Sequence, residues 1–191
     1  MNRRFVGSLL VKLLLVFASV GLAGCSLAAP PPPGTTPTPA PDLPQTTPLT
    51  DSGFQISYPA GWVVRTNGST TLIEEHANAC DRHDGICVVH DHLSIATLLE
   101  MGLPQQANLD AMLVLNRHFF TWKELAEPEE TEVFGVPALG VRYYDDGVYG
   151  YILMGYVNDE GFLLNVSAPS EEGLDEILPT FTAMRASITP Q

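Results

Sequence analysis

Residues 80–92, CDRHDGICVVHDH, hold two of the chain's three cysteines, three of its five histidines and three aspartates, with His76 just upstream. Written out, the pattern is His76-x3-Cys80-x2-His83-x3-Cys87-x2-His90-x-His92. Zinc sites favour tight Cys/His pairs, and Cys80-x2-His83 with Cys87-x2-His90 has that spacing. Thiolate ligation requires reduced cysteines, however. If Cys80 and Cys87 bond to each other, His83, His90 and His92 remain as ligands for Zn or Cu, with Asp84 or Asp91 as helpers. On a strand, His90 and His92 share one face, while Cys87, Val89 and Asp91 take the other. Two readings stand: a disulfide-stapled, solvated loop, which the sequence favours, and a histidine metal site.

The leader decides between them in part. Arg3 and Arg4 form a positive start, and Leu13–Ala23 is an uncharged apolar run of eleven residues. That is too short for a bilayer span, which needs about 20 apolar residues, and has the form of an export signal. Leu22-Ala23-Gly24-Cys25 resembles the lipobox of bacterial lipoproteins. The resemblance implies that residues 1–24 are a signal peptide, that Cys25 is lipidated, with palmitate among its acyl chains, and that Cys25 becomes the mature N-terminus. Two or more acyl chains anchor a protein stably where one does not. Ser26 is not acidic, so in a two-membrane envelope the expected address is the outer membrane, and otherwise the outer face of the cell membrane. An exported chain sits in an oxidising compartment, where an even pair of cysteines seven positions apart is most simply a local disulfide.

Residues 25–49 read as the lipidated cysteine and a tether. APPPPGTTPTPAPDLPQTTP and its flanks carry nine of the sixteen prolines and few large apolar side chains. Such a segment is extended, at roughly 3 Å per residue, so about twenty residues span on the order of 60 Å. Beyond Cys25 the chain has six basic residues against 22 acidic ones, a formal charge of −16. That acidity repels phosphate backbones and anionic headgroups, which excludes nucleic acid as a partner. Membrane association is then left to the anchor on Cys25.

Residues 50–191 are long enough for one domain with its own core. Phe54–Tyr58 alternates apolar and polar residues as a half-buried strand does, ending at Pro59-Ala60-Gly61-Trp62. Val63–Thr66 and Thr71–Glu75 flank an Asn67-Gly68 hairpin signal. A further strand is predicted over Cys87–Leu99, and a helix over Asn108–Leu125. The chain then reads as a meander: Thr131–Phe134, Ala138–Tyr144, Val148–Asn158 and Phe162–Ala168, turning at Asp146-Gly147 and Glu160-Gly161. Short turns impose antiparallel pairing. Ser170 caps a last helix that Pro179 is expected to split or kink. Strands, helix, strands, helix predict an α+β fold.

Three motifs resemble the PsbP-like family: Phe54-x-Ile56-x-Tyr58-Pro59-x-Gly61-Trp62, Gly135-Val136-Pro137-Ala138, and Pro179-x-Phe181-x-x-Met184-x-x-Ser187-Ile188. They span nearly all of residues 53–188 and are structural, with no catalytic residue among them. The resemblance implies an α/β/α sandwich with a central antiparallel sheet, and a binding or assembly accessory rather than an enzyme. The residues themselves agree in lacking a Gly-x-Ser-x-Gly elbow, a Ser-x-x-Lys pair, a P-loop and a dinucleotide fingerprint. A hydrolase is the weakest reading. Tyr143, Tyr144, Tyr149, Tyr151 and Tyr156 mark the meander as either sheet packing or a binding surface. The expected function is a lipid-anchored envelope accessory without catalysis or cofactor, binding an envelope protein. An envelope Zn/Cu-binding protein is the alternative.

Overall fold

The computed structural model describes residues 41–93, 121–157 and 160–191. Eleven strands and two helices are formed by these residues. In chain order they are β1 (Gln45–Leu49), β2 (Phe54–Tyr58), β3 (Val63–Asn67), β4 (Thr70–Glu74), α1 (Ala79–Arg82) and β5 (Cys87–Leu93). There follow β6 (Lys123–Glu124), β7 (Glu129–Val133), β8 (Val136–Asp145), β9 (Val148–Val157), β10 (Glu160–Ala168), α2 (Glu171–Ala186) and β11 (Thr189–Pro190).

Eight strands form one antiparallel sheet in the order β3-β4-β5-β10-β9-β8-β6, with β7 also paired to β8. β1, β2 and β11 form a second, smaller sheet. The α+β architecture with a central antiparallel sheet is as the sequence predicts. Helix α2 packs on β10, β9 and β2. The second helical layer expected from Asn108–Leu125 falls mostly outside the described residues. Its last residues do not continue a helix, since Lys123–Glu124 is β6, paired with Tyr143 and Tyr144.

Turn chemistry explains the meander. Asp145 faces Val148 across Asp146-Gly147, and both turn residues have positive φ, 41° and 87°. That is the backbone a two-residue hairpin needs, and Asp-Gly adopts it readily. At the first hairpin Asn67 itself pairs with Thr70, so the turn is Gly68-Ser69, one residue later than expected. Glu160-Gly161 does not turn the chain. Both residues lie in β10, and Glu160 pairs with Val157.

Two further expectations are corrected. The tether does not reach residue 49: β1 pairs along β2 from Gln45↔Tyr58 to Leu49↔Phe54, and Leu49 is 1% exposed. Burial of the Leu49 side chain binds this segment to the domain. Pro179 does not break α2, which runs unbroken through it to Ala186. Pro179 is on the exposed side of the helix, where solvent can reach the Asp175 carbonyl that has lost its intrahelical donor. Ser170 caps α2 as expected, its side chain accepting from the Gly173 N–H at 3.0 Å.

The main core lies between the sheet and α2. Ile56, Leu153, Leu164, Val166, Leu174, Phe181 and Met184 are among its buried members. Along β9 and β10 the neighbours alternate. Ile152 and Met154 join a second cluster with Leu139, Val141 and Tyr143, to which Trp122 and Leu163 pack. Apolar residues on both faces mark the middle of the sheet, consistent with its near-continuous apolar sequence.

Candidate functional site

The CDRHDGICVVHDH segment divides into a structural part and a cavity. In the structural part, Cys80 and Cys87 are disulfide-bonded with Cα atoms 5.1 Å apart, as the compartment argument predicts. The bridge closes the short helix α1 onto the start of β5. Beneath it lies Glu74, with no exposed surface. Arg65 grips this carboxylate with two N–H donors, Nε to Oε2 at 2.7 Å and Nη2 to Oε1 at 3.1 Å. The Cys80 backbone N–H donates to Oε1 at 3.1 Å. Arg65 holds the Glu74 carboxyl below its usual range, burial opposes this, and the Cys80 N–H adds to the lowering. The network ties β3, β4 and the disulfide loop together.

His83 is the residue after α1, exposed and in the left-handed conformation with φ 56°. Its N–H closes the helix onto the Ala79 carbonyl at 2.9 Å. His83 is thus a helix terminator. His90 and His92 lie along β5, and they share a face as strand alternation requires. Among the described residues no group of three or more His, Cys, Asp or Glu side chains is placed to hold a metal ion. The set His83, His90 and His92 is not assembled. The helpers are engaged as well: Asp91 Oδ1 accepts from the Ser69 and Thr70 hydroxyls at 3.1 and 3.2 Å. Asp84 lies 3.5 Å from His76.

The cavity is built around His90. β5 sits between β4 and β10, and His90 pairs with Thr71 on one side and Leu164 on the other. The side chain is 1% exposed. Among the described residues neither ring nitrogen has a hydrogen-bond partner. Burial, with His92 adding repulsion, pushes the ring down to about 4, so it is neutral at physiological pH. His90 borders a cavity of about 40 Å³ with Ser52, Phe54, Phe134 and Phe162. His92 and Glu160 also line it, with His92 Nε2 and Glu160 Oε2 2.8 Å apart.

Sequence reasoning missed the aromatic wall. Phe134 lies tilted against Phe54 at 4.5 Å between centroids and meets Phe162 edge-on at 4.7 Å. His90 approaches Phe134 edge-on at 6.5 Å. Phe134 and Gly135 form the two-residue turn between β7 and β8, and Phe134 has φ 55°. A bulky residue at positive φ is a backbone outlier that costs about 1–2 kcal/mol. Opposite Phe162, Gly155 leaves room for the ring, since a Cβ there would lie 2.6 Å from its Cζ.

The tyrosines are mainly packing. Tyr143 and Tyr151 are buried; their hydroxyls donate to Asn165 Oδ1 and Glu129 Oε1. Trp122 stacks on Tyr143 at 4.4 Å. Tyr144 and Tyr149 pair with each other across β8 and β9.

No protein-family model matches the chain, and no curated protein matches it in sequence. Solved structures do resemble it. A crystal structure from Bacteroides thetaiotaomicron VPI-5482 aligns with a TM-score of 0.51 at 9% identity, covering 78% of this chain. The alignment takes in 49% of the Bacteroides protein, so this chain matches about half of its length. Cyanobacterial PsbP (CyanoP) from Synechocystis sp. PCC 6803 aligns at 15% identity and a TM-score of 0.46, over 77% of this chain and 92% of CyanoP. The Saccharomyces cerevisiae Ran-binding protein Mog1p aligns at 10% identity and a TM-score of 0.46, over 78% and 96% of the two chains. At these identities the likeness is one of fold: an antiparallel sheet with helices packed on it.

Proposed function

We propose that this chain is a lipid-anchored accessory protein of a bacterial cell envelope, binding an envelope protein partner without catalysing a reaction. One observation carries the reading: a disulfide-closed domain, Cys80 to Cys87, follows the export signal and the Leu22-Ala23-Gly24-Cys25 motif. Disulfides persist in the compartments to which such signals lead. The proline-rich segment, ending before β1, supplies the reach between anchor and domain.

His90 itself is not set up as a general base. A general base works best with a pKa near the operating pH and within hydrogen-bond reach of the proton it takes. His90 is held near 4 and bonds to no hydroxyl or thiol among the described residues.

The test is growth of a bacterial host on a clickable palmitate analogue, comparing the natural chain with Cys25→Ala. Label on the natural protein, absent from Cys25→Ala together with its membrane association, is the expected result. A natural chain that stays unlabelled, or a Cys25→Ala chain that keeps its label, overturns the anchor. Cross-linking in the same membranes should recover one reproducible protein partner; recovery of none speaks against the accessory role.

A further inference from the structure

We propose that the His90 cavity binds the head of a primary alkylammonium group. This goes beyond the envelope reading and stands independently of the anchor.

Size comes first. A cavity of about 40 Å³ accepts roughly three water-sized groups, since each needs about 10–15 Å³. That is room for an amino group with one or two methylenes, and the rest of the ligand must extend outward. Hydrogen bonding comes second. A neutral imidazole offers one lone pair and one N–H, and at His90, 1% exposed, both nitrogens lack a partner among the described residues. Buried polar groups are rarely left in this state. An N–H donor entering the cavity satisfies the lone pair, and a water in the same space can accept from the ring N–H, which an ammonium cannot do.

Charge sets the sign of the guest. Among the lining residues there is no Lys or Arg, and the carboxylate of Glu160 stands beside His92. Glu160 keeps 43% of its side chain exposed, so it can meet a ligand at the mouth. A carboxylate accepts several hydrogen bonds, of which His92 occupies one. Phe54, Phe134 and Phe162 line the cavity, and aromatic rings attract cations over their faces. An anion finds no compensating charge here, and a simple alcohol forgoes the attraction of Glu160 and the rings. The strained Phe134 turn adds a separate indication. Asn-Gly or Asp-Gly serves such a turn without strain, yet this chain places a phenylalanine there, and its ring forms the wall. Backbone outliers of this kind concentrate at ligand sites.

Two sources share this chemistry: a free alkylamine, and the ε-ammonium of a lysine on a protein. The experiment uses the full-length chain in mild detergent, labelled with 15N in its histidine rings. n-Propylammonium, n-propanol and propionate are titrated in parallel, with Nα-acetyl-lysine amide as the lysine probe.

The expected result is a saturable shift of the His90 ring resonances with n-propylammonium, at about millimolar concentrations for so small a ligand. Glu160→Gln should weaken that binding by about two- to fivefold, the range of a partly exposed ion pair. His83→Ala should leave it unchanged. The other histidine resonances report whether each variant is folded. Response to the lysine derivative assigns the protein source, and response to propylammonium alone assigns the free amine. Equal affinity for n-propanol, any saturable response to propionate, undiminished binding in Glu160→Gln, or no saturable response to either amine overturns the proposal.

Discussion

Replacing Leu49 by alanine tests where the domain begins. Leu49 ends a proline-containing segment that would be inert as a linker, yet it is 1% exposed and packed in the main core. Its position is held by its neighbours: the Ser52 hydroxyl donates to its carbonyl at 2.9 Å. The next residue, Thr50, donates its N–H to Thr71 Oγ1 at 2.9 Å. Truncating a buried leucine costs the lost transfer free energy and a cavity contribution, together about 2–5 kcal/mol. Taking about 3 kcal/mol and a urea m-value of about 2 kcal/mol/M, the midpoint should fall by about 1.5 M with m unchanged. The melting temperature should drop by roughly 6–12 °C. Thr46→Ala, on the exposed side of the same strand, should stay within about 0.5 kcal/mol. Equilibrium urea unfolding followed by tryptophan fluorescence measures both. If Leu49→Ala proves no more destabilising than Thr46→Ala, β1 is not part of the core and the domain starts after it.

Two pH predictions follow from buried titratable groups. His90 is pushed from an ordinary 6.5 down to about 4, so between those values the unfolded chain binds the extra proton. Stability is therefore complete above about pH 6.5 and falls by about 3 kcal/mol as pH drops toward 4. His90→Leu should flatten urea midpoints across that window, and an undiminished slope would show that another group sets it. Glu74 is held below its usual range by Arg65, so its contribution is present above the unfolded carboxyl pKa of about 4.3 and lost as pH falls through the folded value. Glu74→Gln should lower stability at neutral pH and narrow its gap to the natural chain under acid. A gap that stays constant with pH refutes this account.

What could be read from the sequence depended on whether a feature was local. Asp146-Gly147 carries its own turn geometry, so β8 and β9 pair as expected. Ser170 caps α2 through a contact three residues away. The disulfide needed only the expectation of export and an even count of cysteines. β1 was hidden by composition, because Pro44, Pro48 and the threonines match a tether. Pro48 is tolerated because β1 is an edge strand of its sheet, where a missing N–H breaks no inner ladder. Burial alternates strictly from Pro41 to Leu49, and the apolar pair Leu43 and Leu49 was the trace of it. For His90, alternation gave the face it shares with His92. That this face is the inner one depends on Ser52, Phe54 and Phe134 coming to lie over it, which no local pattern specifies. The break after Phe134 was legible, but not the two-residue turn with Phe134 in it and β8 starting at Val136, since phenylalanine is unfavourable at positive φ.

The aromatic wall also explains how such an unfavourable turn persists. Phe54 belongs to β2 of the small sheet, Phe162 to β10 of the large one, and the ring of Phe134 touches both. Contacts to two aromatic rings, each pair contributing about 0.5–1.5 kcal/mol beyond burial, are enough to offset a cost of about 1–2 kcal/mol. The cavity therefore lies where the two sheets meet, with His90 beneath the ring that joins them. The chemistry concentrated in CDRHDGICVVHDH thus serves two ends. Its cysteines, together with Glu74, fix one end of β5, and His90 and His92 line the joint toward the other.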